Sequence, residues 1–447
     1  MRRVRTGGHL PLGVVLSSPR VILSEAKELL VQFARPLTSR PFAAMKATIA
    51  LAFLASTAAA QKKLAAPGAY VPPAGSWEQR APAQLGLDAV RLDSAVAFAI
   101  ANETKAPRDQ FESNAIGFSR EPYGEPLGPF ATRGPSSGVV IRHGYVAATW
   151  GDPTAVEMTH SVTKSLLSTV VGLAVAKGLI LSVNDTVRPY IGPVYALNAP
   201  PSATATMGGV FLDPFSSPHN RKITWHHLLQ QNSDWEGTLW DKPDWGDRPE
   251  GNADIWRTRP RNEPGTVYKY NDVRVNALAL AALHVWRRPL PDVAREMIFD
   301  PIGASSTWRW YGYRNSWVLL DGKAVQSVSG GGHWGGGLFI SAWDMARFGL
   351  LSLRKGTWGD AQVVPASWID YATTPSKPNV GYGIMNHFLN VDGKLLPSAP
   401  KSTFVHLGNG TNAIVVDREH DLVIVVRWIQ NNQLDGVVKR VIAAINP

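Results

Sequence analysis

Ser161 and Lys164, one helical turn apart, are the first candidates for chemistry in this sequence. They open the segment HSVTKSLLSTVVGLAVAKG, which reads from His160 to Gly178 as an apolar helix ended by a glycine. Because positions i and i+3 share a helix face, the lysine amine can reach the serine oxygen. The positive end of the helix dipole favours a neutral amine there. An amine that removes the serine proton creates a nucleophile, and the helix start offers the Ser161 N–H to an oxyanion.

Spacing alone does not identify this pair, because Ser-x-x-Lys occurs four times in the chain. The other occurrences are Ser24–Lys27, Ser352–Lys355 and Ser398–Lys401. Only Ser161 opens a long apolar helix, and this context selects it. The alternative is a serine that caps the helix, followed by a lysine whose ammonium extends to solvent.

Two later motifs carry further polar groups. The segment PGTVYKYNDVRVNALAL (264–280) places Tyr270 and Asp272 at the start of a second apolar helix. The segment VHLGNGTNAIVV (405–416) places His406 and Gly408 on a strand that leads into a terminal hairpin. The alternatives are a core tyrosine at position 270 and a solvent-facing strand histidine at position 406.

The flanking elements predict an α+β chain. Apolar spacing indicates a surface helix in 87–102, β-rich runs around RHG indicate a hairpin in 137–151, and Ser341 reads as a helix N-cap. Strands at both ends of the chain predict one sheet closed by the two termini, with a mainly helical region inserted. We assign about 76–155 and 330–447 to the α/β part, and about 156–329 to the helical part.

Three motifs follow one another along the chain: Ser-x-x-Lys, Tyr-x-Asp and His-x-Gly, with the segments ITWHHLLQQNS and GGGLFISAWDMARFG nearby. In this order and setting, the chain resembles the serine hydrolases related to class C β-lactamases. That group includes penicillin-binding DD-peptidases, lactamase-like esterases and hydrolases of aminohexanoate oligomers. The resemblance covers roughly residues 135–430. It implies a β-lactamase/transpeptidase-like fold, an antiparallel sheet flanked by helices with an inserted mainly helical region, and no cofactor.

The resemblance also implies a role for each motif residue. Ser161 would be acylated, and Lys164 would help to remove its proton. Tyr270 would complete the proton relay and protonate the leaving group. The backbone N–H groups of Ser161 and Asn409 would form the oxyanion hole, and Gly408 would let the strand backbone approach the substrate.

Two positions depart from the family pattern. Asp272 replaces the usual asparagine, and a carboxylate beside Lys164 would hold the lysine protonated. Three alternatives are then open: the proton relay depends on a Tyr270 phenolate, the Asp272 side chain turns away from Lys164, or the enzyme is slow. His406 replaces the lysine of Lys-Thr-Gly, so the cation that would anchor a substrate carboxylate is lost, and ester or amide hydrolysis is favoured over antibiotic hydrolysis. We assign Asp272 and His406, together with Gly408 and Asn409, to the residues that bind the substrate or its oxyanion.

The segment QNSDW stands where the family often has Ser-Gly, and a tryptophan-rich stretch follows it. Its tryptophans would form an aromatic rim to the cleft or an inert packing cluster; they are Trp235, Trp240, Trp245 and Trp256.

The positive charge of the chain is concentrated in its first 60 residues. The 447 residues hold 45 Lys/Arg and 35 Asp/Glu, a formal net charge of +10. Residues 1–60 have 8 basic and 2 acidic residues, which leaves 37 and 33, a net of only +4, for the rest. The absence of a basic run after residue 60 argues against a nucleic-acid partner.

His226–His227 and the scattered acids lack metal-ligand spacing, and the chain has no cysteine, so we predict no metal.

The segment MKATIALAFLASTAAAQ, from Met45, has the three-part pattern of a secretory signal with cleavage near Ala60. We predict a signal peptide at 45–60, a start at Met45 with a spurious or unstructured leader at 1–44, and a hydrolase domain at 61–447; a genuine N-terminal extension is the alternative. The apolar run is too short to span a bilayer.

These observations predict a periplasmic or secreted serine hydrolase that cleaves an ester or amide bond of a small molecule or peptide through an acyl-enzyme. The alternatives are a catalytically weak penicillin-binding or cell-wall sensing protein, or a β-lactamase. The sequence makes no prediction about the oligomeric state.

Overall fold

Two antiparallel sheets and the helices around them organise the chain in a computed structural model, which describes residues 70–197 and 208–446. The predicted leader (1–44) and signal peptide (45–60) lie outside these residues. Within them, the structure has the α+β architecture that the sequence predicts.

The first sheet joins the two ends of the chain, as the sequence predicts. Its order is β13-β14-β15-β16-β1-β2, so that a strand from the end of the chain pairs with the first hairpin. The strands are β1 (Ser137–Arg142), β2 (Tyr145–Trp150), β13 (His387–Leu389), β14 (Phe404–Gly408), β15 (Asn412–Asp417) and β16 (Leu422–Arg427).

Strands β15 and β16 are buried along their whole length, because both faces of the sheet are covered. Alternate residues belong to two cores: Ile414 and Val425 face the large core, and Val415 and Ile424 face a smaller one. This burial on both faces explains the nearly unbroken apolar runs of the terminal hairpin.

Most of the second sheet lies in the inserted region, with one strand after residue 330, and this sheet was not predicted from the sequence. It has the order β3-β10-β8-β4-β5, with β9 paired to β8. Its strands are β3 (Glu157–Met158), β4 (Val194–Leu197), β5 (Gly209–Leu212), β8 (Arg309–Leu320), β9 (Lys323–Val328) and β10 (Gly337–Ile340). Two small hairpins pair β6 (Thr238–Leu239) with β7 (Lys242–Pro243), and β11 (Thr357–Trp358) with β12 (Ala361–Gln362).

The two apolar helices that the sequence predicts are present, and both are buried. These two helices, α3 (Val162–Ala176) and α6 (Asp272–Trp286), pack against each other, and α3 also contacts β14. The Ser341 side chain caps α8 by accepting from the Asp344 N–H, as predicted. The helices are α1 (Ala89–Ala101), α2 (Gln110–Phe118), α3 (Val162–Ala176), α4 (Trp225–Leu229), α5 (Ala253–Thr258), α6 (Asp272–Trp286), α7 (Leu290–Ala294), α8 (Ala342–Leu353), α9 (Ala366–Ala372) and α10 (Leu434–Ala443).

Within the described ranges, no helix combines the length and the apolar character needed to cross a membrane.

Candidate active site

Ser161 immediately precedes helix α3, and its side chain makes no capping hydrogen bond. Instead, Lys164 Nζ donates a hydrogen bond to Ser161 Oγ over 2.9 Å. The Lys164 side chain is fully buried, so its ammonium does not extend to solvent. The geometry therefore contradicts the alternative of a capping serine followed by a solvent-reaching lysine. The preceding residue, His160, has a φ of +49°, a strained conformation of the kind that clusters at functional sites.

Neither of the other Ser-x-x-Lys pairs within the described residues has this arrangement. Ser352 Oγ donates to the Phe348 carbonyl inside α8, and Lys355 Nζ lies 2.9 Å from Asp370. Ser398 Oγ donates to Asp435 over 2.9 Å.

Asp272, the first residue of α6, faces Lys164: its Oδ1 lies 2.8 Å from Lys164 Nζ. Its Oδ2 accepts from Arg248 Nη1 over 2.9 Å and contacts His333 Nδ1 at 3.1 Å. Burial opposes the charged carboxylate, but Arg248 and Lys164 outweigh it and hold the pKa of Asp272 well below its ordinary value. The possibility that Asp272 turns away from the lysine is therefore wrong.

The glycine-rich segment 330–337 brings His333 into this cluster. Its Gly330 carbonyl accepts from Lys164 Nζ over 3.2 Å. A Cβ on Gly332 would lie 2.7 Å from the Asp272 carboxyl carbon, and one on Gly331 would lie 2.0 Å from the His160 carbonyl oxygen. The segment therefore needs glycine in order to pack against the starts of both α3 and α6.

Tyr270 lies between Ser161 and Asn386. Its hydroxyl donates to Asn386 Oδ1 over 3.4 Å, and its side chain lines the same cavity as Ser161. Burial, and secondly the charge of Asp272, raise the pKa of Tyr270 above its ordinary value, so the phenol keeps its proton at neutral pH. The alternative of a tyrosine that only packs in the core does not fit the structure, because Tyr270 also lines a cavity with Ser161.

Sequence reasoning missed Asn386, Arg248 and His333. Asn386 has a φ of +66°, and its amide also donates to the Leu407 carbonyl, which ties Tyr270 to the strand β14. No motif marks Asn386 or Arg248. The only available signal for His333 was the glycine-rich run GGGHWGGG, which was interpreted as a turn.

Strand β14 ends beside the start of α3. A Cβ on Gly408 would lie 2.1 Å from the Thr159 carbonyl oxygen and 3.1 Å from the Ser161 nitrogen. Gly408 therefore permits the close approach of two backbone segments, and Asn409 follows directly in a 3-10 turn. Gly408 also lines the cavity beside Ser161, so the approach of this strand to a substrate stays a prediction.

The structure does not bring His406 to the cavity, contrary to the expectation that it binds substrate. Its side chain is fully buried, its Nδ1 lies 2.9 Å from Ser165 Oγ, and its ring packs against His387. Burial, and secondly the neighbouring His387, hold the pKa of His406 well below its ordinary value, so the ring is neutral. It does not face solvent either, because alternate residues of β14 point into the core.

A cavity of about 440 Å³ opens beside Ser161. Its lining combines apolar side chains with polar groups: Phe118, Ser161, Arg248, Tyr270, Asn386, Phe388, Leu395, Leu407, Gly408, Asn409, Thr411, Asn431, Asn432, Leu434 and Asp435. None of the four tryptophans after QNSDW belongs to this lining, and Trp235 and Trp240 are buried in the core. For Trp235 and Trp240 the packing interpretation is therefore the better one.

Glu121, Asp247 and His333 bring potential metal-ligand atoms within 4.8 Å of one another. However, Arg248 donates to Asp247 Oδ1, and its backbone N–H donates to Glu121 Oε2 over 3.1 Å. A guanidinium among these carboxylates would repel a divalent cation, so we interpret the cluster as an ion-pair network.

Comparison with known proteins places the chain in a family. The family model for β-lactamases matches residues 139–444. A candidate 6-aminohexanoate-dimer hydrolase from Bacillus anthracis has a similar structure, with a TM-score of 0.52 at 14% identity, over 85% of this chain and 89% of that one. A penicillin-binding protein homologue from Caulobacter crescentus has a TM-score of 0.48 at 14% identity, over 76% of this chain and 99% of that one.

A family VIII carboxylesterase has a TM-score of 0.48 at 16% identity, over 80% of this chain and 98% of its own. No curated protein matches the sequence. At such low identities a structural likeness concerns the fold alone, and that fold is the β-lactamase/transpeptidase-like one that the sequence predicts. Because the family model spans more than half of the chain, the chain belongs to the β-lactamase family of serine hydrolases.

Proposed function

We propose that this protein is an exported serine hydrolase that cleaves an ester or amide bond through an acyl-enzyme on Ser161. The observation that carries the proposal is the contact of 2.9 Å between Lys164 Nζ and the uncapped Ser161 Oγ, at the floor of a cavity. Export rests on the signal pattern of residues 45–60.

In the acylation step, Ser161 Oγ attacks the substrate carbonyl carbon while its proton passes to Lys164 Nζ. The oxyanion that forms accepts hydrogen bonds from the N–H groups of Ser161 and Asn409. The approach of β14 to the start of α3 at Gly408 supports this pairing, because it brings the backbone on either side of the cavity together.

Tyr270 serves as the acid that protonates the leaving group. Its raised pKa argues against a phenolate base in the free enzyme and supports Lys164 as the proton acceptor. Collapse of the oxyanion then breaks the bond to the leaving alcohol or amine, which takes the Tyr270 proton. Water then attacks the acyl-enzyme and gives a proton to the Tyr270 phenolate, and the Lys164 ammonium returns its proton to Ser161 Oγ as the acid is released.

The lining of the cavity favours a substrate with an apolar part. Phe118, Phe388 and Leu395 provide apolar contacts, and Asn386 and Asn431 provide hydrogen-bonding groups. Strand β14 has His406 where the relatives carry a lysine, and its ring is buried and neutral. This supports ester or amide hydrolysis over hydrolysis of a carboxylate-bearing antibiotic.

A second candidate function is a slowly turning-over penicillin-binding or sensing protein. The ion pair between Lys164 and Asp272 favours it, because the amine that would accept the Ser161 proton is paired with a buried carboxylate 2.8 Å away. A protein of this kind would be acylated once and would then release its product very slowly.

Steady-state assays separate the two functions. We expect continuous turnover of a chromogenic short-chain ester, in a panel that also contains linear amides, D-amino-acid peptides and a cephalosporin. One burst followed by a plateau, with a persistent adduct in the intact mass, would support the sensor. No reaction with any substrate would contradict both functions.

A further inference from the structure

The two oxygens of Asp272 have different partners. Oδ1 faces Lys164 at 2.8 Å, whereas Oδ2 accepts from Arg248 Nη1 at 2.9 Å and contacts both Nδ1 and the backbone nitrogen of His333, at 3.1 and 3.4 Å. Oδ2, the oxygen that does not face the lysine, is thus held by hydrogen-bond donors, and one of them, Arg248, is always positively charged.

Arg248 is held rigidly in this position. Its backbone has a φ of +49°, and its N–H donates to Glu121 Oε2 over 3.1 Å. The guanidinium lies over the rings of Phe118 and Tyr270, at 5.4 and 5.1 Å from their centroids. Arg248 Nη1 also donates to the buried carboxylate of Asp247, so one guanidinium bridges two acids.

We propose that Arg248 is a positioning residue for acylation: it compensates the charge of Asp272, so that Lys164 can accept the Ser161 proton. The pair of Asp272 and Arg248 thereby takes the place of the neutral amide that relatives carry at position 272. This inference rests on the proposed role of Ser161 as the nucleophile.

The charge balance supports the inference. Without Arg248, the carboxylate of Asp272 would act on Lys164 with less compensation in a buried site, where charge interactions are strong. The ammonium form of the lysine would then be favoured, and fewer molecules would have a neutral amine at a given pH. The titratable and charged groups that face this pair from the surrounding elements are Tyr270, Asp247, Arg248, His333, His160, Tyr313 and Tyr382.

The test is a double-mutant cycle with Arg248→Gln and Asp272→Asn. The measured quantity is the rate constant for labelling of Ser161 by a fluorophosphonate between pH 5 and pH 10. Because a charge within hydrogen-bonding range shifts a titration by about one unit or more, Arg248→Gln should slow labelling about tenfold at neutral pH. It should also move the acidic limb of the profile to higher pH. In the presence of Asp272→Asn, the same change should cost less than about threefold.

Arg257→Gln is the matched control, because that side chain is exposed and its only ion-pair contact within the described residues is 4.0 Å from Asp254. It should leave the profile unchanged. An equal loss with and without Asp272→Asn, or an acidic limb that does not move, would overturn the inference. If Arg248→Gln does not fold, the cycle is run with Arg248→Met, which removes the charge but keeps a long unbranched side chain; it is judged by the same two criteria.

Different results would contradict the proposed function and the proposed role of Arg248. If the unmodified protein is not labelled at Ser161, the proposed function fails. If it is labelled and the cycle is additive, only the role of Arg248 fails.

Discussion

At the scale of single residues, the ion pair between Lys164 and Asp272 is the feature that most needs explanation. Helical spacing predicted that Lys164 reaches Ser161, because i and i+3 share a face. The direction of the Asp272 carboxylate could not be predicted, because it depends on Arg248 and His333, which come from distant parts of the chain. Local patterns therefore predicted the contact between Ser161 and Lys164 but not the charges around it.

Replacement of Asp272 by asparagine tests this ion pair. Asp272→Asn removes the anion that favours the ammonium form of Lys164, while it keeps most of the side-chain shape. We expect the acidic limb of the pH profile of kcat/KM to move to lower pH by about one unit or more. Lys164→Ala should cost far more activity, because it removes the proton acceptor itself.

Asp254→Asn is the control for this prediction, because the Asp254 side chain is 86% exposed. It should leave the pH profile in place. A profile that Asp272→Asn does not move would contradict our account of the pair, and a complete loss of activity would give Asp272 a role beyond charge.

At the scale of structural elements, the glycine-rich segment 330–337 holds the starts of α3 and α6 at a fixed separation. Gly332→Ala would place a Cβ 2.7 Å from the Asp272 carboxyl carbon, so the carboxylate must move. Because small displacements in an active site are costly, we expect kcat/KM to fall about ten- to a hundredfold. In Gly192→Ala, nothing lies within 4 Å of the new Cβ, and activity should be unchanged. Equal activity in the two variants would show that the contact is unimportant.

The segment that follows α5 is anchored by Asp234, the aspartate of QNSDW. Its carboxylate binds the guanidinium groups of Arg259 and Arg274. Burial opposes the charge, but these partners outweigh it and lower the pKa of Asp234 from 3.8 to about 2. The segment had no physical explanation at the sequence level, because both arginines lie far along the chain.

Asp234→Asn should therefore destabilise the protein by about 2 kcal/mol at neutral pH. Because the folded pKa lies below the unfolded one, the stabilisation is complete above pH 4 and is lost as the pH falls towards 2. Urea unfolding at pH 7 and at pH 2.5 measures it, and the difference between variant and parent should shrink in acid. A difference that does not depend on pH would show that the aspartate acts by shape alone.

At the scale of the whole molecule, the sequence predicted the sheet that joins both ends of the chain but not the second sheet. The nearly unbroken apolar runs of β15 and β16 made the first one visible. Strand β8 alternates buried and more exposed residues over 309–312 and again over 316–320, but the pattern breaks at Tyr313 and Arg314, and the pairing with β9 is interrupted between Gly312 and Trp317. The irregularity leaves two stretches that are each too short to stand out by a period of two.

The signal pattern at 45–60 makes a prediction about the mature chain. Expressed from Met45, the protein should reach the periplasm and begin near Gln61, because the small residues before Gln61 suit signal cleavage. N-terminal sequencing of the periplasmic fraction measures this. Residues 1–44 on the mature protein would contradict our interpretation of the leader.

The central claim is that Ser161, activated by Lys164, is the nucleophile of this hydrolase. Intact-mass analysis and peptide mapping after treatment with a fluorophosphonate probe test it most directly. We predict one adduct, on Ser161, that Ser161→Ala abolishes, whereas Ser352→Ala and Ser398→Ala keep it, because those hydroxyls are bonded to the Phe348 carbonyl and to Asp435. Labelling that persists in Ser161→Ala would contradict the account.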